Sequence, residues 1–157
     1  MKEIIEKLTL LNKTISTMES CTGGFIANEI TNIEGSSEVF KFSAVTYSNE
    51  FKIKMGVNKD IIDKYSVYSI EVSNEMSKNI SKFTNSNYGI GITGKLNRVD
   101  KFNPYGLDNV VYISIYDKDN NKYYNSIIKV KLQTRKDNKE LVIKEVIKLL
   151  NNILNIK

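Results

Sequence analysis

Glu19-Ser20-Cys21-Thr22-Gly23-Gly24 is the stretch that decides the fold. It follows a β-branched run, Thr14-Ile15-Ser16-Thr17, and precedes Phe25-Ile26-Ala27, with Ile30 and Ile33 at helical spacing. That order predicts a strand over 14–18, a tight turn, and a helix over 22–32 that starts at the glycines. Glycines at such a junction let backbone approach a ligand closely. N–H groups at the start of a helix favour an anion or a developing oxyanion. A serine held there has the placement of a nucleophile, although Ser and Thr are also ordinary helix N-caps.

Working outward, Ile4, Ile5, Leu8 and Leu11 predict an amphipathic helix over 2–12. Glu34-Gly35-Ser36-Ser37 reads as a turn. Alternation through Phe40, Phe42, Ala44 and Thr46 predicts a strand that ends at Tyr47. Asn49-Glu50 opens a short helix that carries Lys52 and closes near Gly56, and residues 58–64 read as another. Ser69 is a plausible cap for a helix to about Phe83. Residues 87–93 read as a strand, and 95–108, with the single proline Pro104, as a loop. Residues 110–115 and 126–130 read as a hairpin turning at Asp117–Asn121. An amphipathic helix is expected over 138–156. The expected architecture is a single domain over 1–157, with a mixed sheet covered by helices on both faces.

The 157 residues include one cysteine and no histidine, and the formal net charge is +5. Absence of histidine removes Ser-His-Asp and Cys-His catalysis and, with a lone cysteine, the usual zinc sites. A hydrolase of this composition needs Lys, Tyr, Asp or Glu as its general base. Positive charge suits anionic ligands, and scattered lysines make nucleic acid the weaker option. No apolar run approaches the ~20 residues of a membrane span, and a lone cysteine fits a cytoplasmic setting.

Two patterns are weaker than they look. Gly89-Ile90-Gly91-Ile92-Thr93-Gly94 matches G-x-G-x-x-G literally, but its glycines fall within a strand candidate and a polar loop follows. Gly89 to Lys95 also imitates a phosphate loop, with Leu96 where Ser or Thr is required. A milder expectation is that Thr93-Gly94, at a strand end, faces a cleft. Cys21 is the rival nucleophile, but it has no histidine partner and reads as a small packing residue. Lys52 gains chemical interest only by approaching Ser20, since a lysine near its neutral form can deprotonate a serine.

Glu19–Gly24, then Gly35-Ser36-Ser37 with Phe40, then Val45-Thr46-Tyr47-Ser48-Asn49-Glu50 with Lys52 and Gly56-Val57, occur in one order. Ser69, Glu71 and Met76 follow, and then Ile92-Thr93-Gly94. The chain thereby resembles the CinA C-terminal domain family, whose active members deamidate nicotinamide mononucleotide (NMN). The resemblance implies a three-layer α/β/α fold, usually dimeric, and amide hydrolysis by a Ser-Lys-Tyr set without metal or cofactor. Those roles fall on Ser20 as nucleophile, Lys52 as base and Tyr47 as assisting hydroxyl. A nucleotide substrate would meet Thr22, Gly23, Gly24, Ser36, Asn49, Thr93, Gly94 and Arg135, with Lys139 or Arg98 also available to its phosphate. Oxyanion donors are expected among the backbone N–H groups of Thr22-Gly23-Gly24.

The sequence departs from the family where Thr-Gly usually continues into Ala-Gly-Pro-Gly-Gly. Here it continues Lys95-Leu96-Asn97-Arg98-Val99-Asp100. These bulkier side chains either fold outward and leave an open pocket or bring positive charge to an anionic ligand. The alternative reading is a non-catalytic nucleotide-binding or interaction module that kept the fold and lost the pocket.

Overall fold

A computed structural model describes residues 1–156. Five strands form one sheet: β1 (Ile15–Glu19), β2 (Phe40–Val45), β3 (Tyr88–Gly94), β4 (Val110–Asp117) and β5 (Lys122–Lys129). Their order is β2-β1-β3-β4-β5. β1 is parallel to both β2 and β3, while β3-β4-β5 run antiparallel. The helices are α1 (Lys2–Leu10), α2 (Phe25–Thr31), α3 (Asn49–Lys54), α4 (Lys59–Tyr65), α5 (Ile70–Thr84) and α6 (Arg135–Leu154). A 3-10 turn at Ser36–Glu38 leads into β2. The result is the expected three-layer α/β/α domain with a mixed sheet. α6 begins three residues before the expected Asn138 because Thr134 accepts the Asp137 N–H at 3.1 Å, a cap lying ahead of the apolar periodicity.

Strand alternation sorts the core into two layers. Ile90 and Ile92 of β3 and Val111, Ile113 and Ile115 of β4 join Ile4, Leu8, Ile26, Val142, Val146 and Leu150 from α1, α2 and α6. Met18 of β1 points the other way, onto Val72, Met76 and Ile80 of α5 and Ile62 of α4.

The residues that imitate a dinucleotide fingerprint belong to this second layer. A Cβ on Gly89 would lie 2.0 Å from the Ser77 carbonyl oxygen, and one on Gly91 would lie 2.3 Å from that of Ser73. The α5 backbone therefore rests directly on β3. Its facing residues, Ser73, Ser77 and Ser81, are small and fully buried. Ser73 donates to the Gly91 carbonyl at 2.8 Å, and the Ser77 and Ser114 hydroxyls meet at 2.9 Å, so the close approach leaves these groups paired. The glycines serve helix-on-strand packing, and the loop at the C-terminal end of β3 starts no helix.

Gly91→Ala is expected to destabilise the domain by about 3 kcal/mol, the upper part of the overpacking range, and to lower Tm by roughly 10 °C. Thermal unfolding by circular dichroism checks this, and a wild-type Tm would show that α5 can retreat freely.

Candidate active site

Register builds the site. In the parallel β1–β2 pair Glu19 lies opposite Val45, so both strands end side by side. The residues that follow, Ser20 and Thr46, are thereby neighbours although 26 positions apart in sequence. The chain then turns into α3, whose start is fixed by Ser48, a hydroxyl accepting the Phe51 N–H at 3.3 Å. One turn further on, Lys52 reaches back beneath the strand ends. Its Nζ donates to Ser20 Oγ at 3.0 Å and to the Thr46 carbonyl at 2.7 Å. The side chain is 2% exposed and has no carboxylate partner among the described residues. Burial disfavours the ammonium, and the Lys52 pKa falls from 10.5 to about 8.

The turn after Ser20 is set by Glu19. This fully buried carboxylate accepts the N–H groups of Gly24 at 3.1 Å, Ile26 at 3.1 Å and Ala27 at 2.9 Å. It fills the N-terminus of α2, whose cap, Gly24, has φ +88°. The Gly23 N–H in turn donates to the Ser20 carbonyl at 3.0 Å. This corrects the expectation for the oxyanion donors: Gly23 and Gly24 are already engaged. Among the described residues, Cys21 and Thr22 carry the N–H groups beside Ser20 that meet no acceptor. Cys21 itself is buried in the core layer of α2, and burial pushes its thiol up to about 12, with Lys52 and Arg135 opposing.

A cavity of about 680 Å³ opens above Ser20. Ser20, Cys21, Tyr47, Asn49, Gly94 and Arg135 line one side, and Lys95 with the loop from Arg98 to Asn103 lines the other. Of the two outcomes open to that loop, the structure has the second: it folds over the site and brings cations with it. Lys95 is 3% exposed, pairs with Asp108 at 2.9 Å and lies over the Tyr68 ring at 5.1 Å. Asp100 accepts from the Tyr68 hydroxyl, from Asn103 Nδ2 at 3.0 Å and from the Phe102 N–H at 2.9 Å. Asn103 also accepts from Asn49 Nδ2 at 3.0 Å, which ties the loop to the start of α3. Lys95 enters the sequence reading only through the positive charge of its loop, and Tyr68 and Asp100 lie outside the expected site set. Their contacts link positions far apart in sequence and leave no periodic signal.

The remaining candidates divide. Tyr47 is 65% exposed and shares the cavity with Ser20, but its hydroxyl accepts from Arg135 Nη2 at 3.2 Å and bonds to neither Ser20 nor Lys52. Gly94 must be glycine, since φ is +151° and a Cβ would lie 2.5 Å from the Val110 carbonyl oxygen. Thr93 is buried, donates to the Val67 carbonyl at 2.9 Å and does not line the cavity. Ser36 sits in the 3-10 turn, also outside it. Thr22 is fully buried with its hydroxyl unpaired. Lys139 Nζ lies 6.0 Å from the Phe25 ring centre, beside Gly23.

Comparison with known proteins agrees with this architecture. The CinA C-terminal domain model matches residues 1–154, and the chain belongs to that family. It is 44% identical over 121 residues to a protein of Alkaliphilus oremlandii named "Putative competence-damage inducible protein", covering 73% of this chain and 28% of that one. A protein of the same name from Clostridium kluyveri is 42% identical, over 75% of this chain and 29% of its own length. The chain thus spans under a third of these relatives. The crystal structure of the competence/damage inducible protein CihA from Agrobacterium tumefaciens superposes with a TM-score of 0.85 at 26% identity, covering 98% of this chain and 92% of that one. A CinA-superfamily protein from Escherichia coli superposes at 0.84 and 21% identity, covering 97% and 87%, a likeness of fold.

The depressed Lys52 pKa has a consequence for stability. Below pH 8 the ammonium is present in folded and unfolded chains alike, and the folded state bears the full burial penalty. Between about 8 and 10.5 the folded state releases its proton first, so the penalty shrinks as pH rises. Lys52→Met is therefore expected to be more stable than wild type at pH 7, by up to ~3 kcal/mol, and to unfold at a higher temperature. The gap should narrow toward pH 10. Calorimetric scans across that range check it, and a gap independent of pH would mean that Lys52 titrates normally.

Proposed function

We propose that this domain is an amidohydrolase acting on NMN, releasing ammonia and nicotinate mononucleotide. The observation that carries the reading is the 3.0 Å contact between Lys52 Nζ and Ser20 Oγ, buried at the floor of the cavity. Family membership supports the reading, as does a wall carrying Arg98, Lys101 and Arg135, which suits a phosphate.

Lys52 in its neutral form turns its lone pair to the Ser20 hydroxyl while one N–H stays on the Thr46 carbonyl. It takes the hydroxyl proton as Oγ attacks the carboxamide carbon. The tetrahedral oxyanion falls to the Cys21 and Thr22 N–H groups. One such donor is typically worth about 3 kcal/mol. Lys52, now an ammonium, returns the proton to the departing nitrogen, which leaves as ammonia, and Ser20 carries the acyl group as an ester. Water deprotonated by Lys52 then attacks the ester and restores Ser20. In this reading Tyr47 assists with its hydroxyl once ligand has drawn Arg135 away. A homodimer and a cytoplasmic setting belong to the same proposal.

Ammonia release from NMN tests it. Ser20→Ala should abolish turnover, and Cys21→Ser should keep most of it, since the thiol is neutral and lacks a base. Because only the neutral amine accepts a proton, kcat/KM should climb about tenfold per pH unit below 8 and level above it. Inactivity of the wild-type chain, or an active Ser20→Ala beside an inactive Cys21→Ser, would overturn the proposal.

A further inference from the structure

Asp100 is the one acidic side chain, among the described residues, on the wall of the cavity over Ser20. It shares that wall with Lys95, Arg98, Lys101 and Arg135, yet no cation among the described residues forms an ion pair with it. Lys95, the buried one among these cations, is committed to Asp108. What Asp100 has instead is three neutral donors: the Tyr68 hydroxyl, the Asn103 amide and the Phe102 N–H. Burial alone would raise the carboxyl pKa, but these donors hold it at about 2. The group is an anion whose charge is oriented by these neutral neighbours; it feels Lys52 across the site but has no ion-pair partner among the described residues.

That arrangement limits what can complement it. A carboxylate offers about four acceptor positions, and three are taken here. An ammonium entering the cavity would lose hydration and find few acceptors. A delocalised cation without N–H donors needs none, because it interacts through charge alone. The other charged residues of the wall are cations, so the full complement is a ligand that carries both an anionic group and a delocalised ring cation. The Gly-Pro-rich loop common in the family has no carboxylate in its Ala-Gly-Pro-Gly-Gly run, so the feature comes with this chain's own loop.

We infer that Asp100 is a specificity residue selecting carboxamides carried on a cationic, N-substituted pyridinium ring over the same amides on a neutral ring. The inference rests on the amidohydrolase reading for the placement of the amide at Ser20. It concerns binding, however, and can fail separately. NMN and its 1,4-dihydro form are the discriminating pair, since they share the phosphate, ribose and carboxamide and differ in the charge of the ring.

The experiment is titration calorimetry of both ligands on Ser20→Ala protein and on the Ser20→Ala, Asp100→Asn double variant. Ser20→Ala should bind NMN roughly tenfold more tightly than the dihydro form, the scale of one half-exposed charge contact. In the double variant the two affinities should converge, with the loss confined to NMN. Equal affinities on Ser20→Ala would overturn the inference without any need for the second variant to fold. So would a double variant that loses both ligands equally, which would make Asp100 a brace for the loop alone, and so would absence of binding by either ligand. Ammonia release by the wild type, measured in parallel, reports on the amidohydrolase reading, so an inactive chain that still prefers the cationic ring would sink that reading and leave this selectivity standing.

Discussion

The molecule is organised around one buried amine that has no ion-pair partner among the described residues. Lys52 Nζ sits between Ser20 Oγ and the Thr46 carbonyl, buried and with no carboxylate paired to it among the described residues. An ammonium in that position is expensive, and the domain holds it there by several independent constraints. The β1–β2 register sets Ser20 beside Thr46, the Ser48 cap fixes the first turn of α3, and a single helical turn sets the reach of Lys52. The penalty that lowers the stability of the fold is the same one that makes the amine available as a base near neutral pH.

Glu19 is the counterpart of Lys52 on the other side of β1. Its carboxylate is buried completely, but it is satisfied by three N–H groups at the start of α2 rather than by a cation. Keeping the two charges on separate hydrogen-bond sets matters. Asp100 already opposes the shift from across the site, and a carboxylate paired directly with Lys52 would stabilise the ammonium further and raise its pKa. By filling the α2 N-terminus, Glu19 also moves any oxyanion back along the turn, toward the Cys21 and Thr22 N–H groups. The two consecutive glycines then read as backbone geometry around that carboxylate, with φ of +62° at Gly23 and +88° at Gly24.

Much of the fold was legible from periodicity. Alternation in 40–45 and helical spacing in 2–10 and 70–84 located elements to within one or two residues, since each of these faces a single apolar layer. The start of α6 was displaced because its first turn is polar and is specified by Thr134. The Ser20–Lys52 pairing spans 32 positions, and no local pattern encodes it; the family resemblance alone placed the two together. Glu19 stood in the quoted motif, but its role depends on α2 curling back over β1, which spacing does not reveal. Tyr68 and Asp100 were invisible for a related reason. Their contact exists only because residues 95–109 close on themselves, with Lys95 N–H on the Val110 carbonyl and Arg98 N–H on that of Asp108. Thr93 and Ser36 were read as facing a ligand from motif position, whereas their side chains lie outside the cavity of this chain.

The central claim is that Lys52 gives up its proton near pH 8, far below an ordinary lysine, because it is buried with no ion-pair partner among the described residues. The most direct measurement is a carbon-13 NMR titration of the lysine Cε signals, with Lys52 assigned by its loss in Lys52→Met. The account predicts a Lys52 midpoint near 8, well separated from the remaining lysines. A midpoint at the ordinary value of 10.5 would contradict it, since an ammonium fixed beside Ser20 could not take the serine's proton.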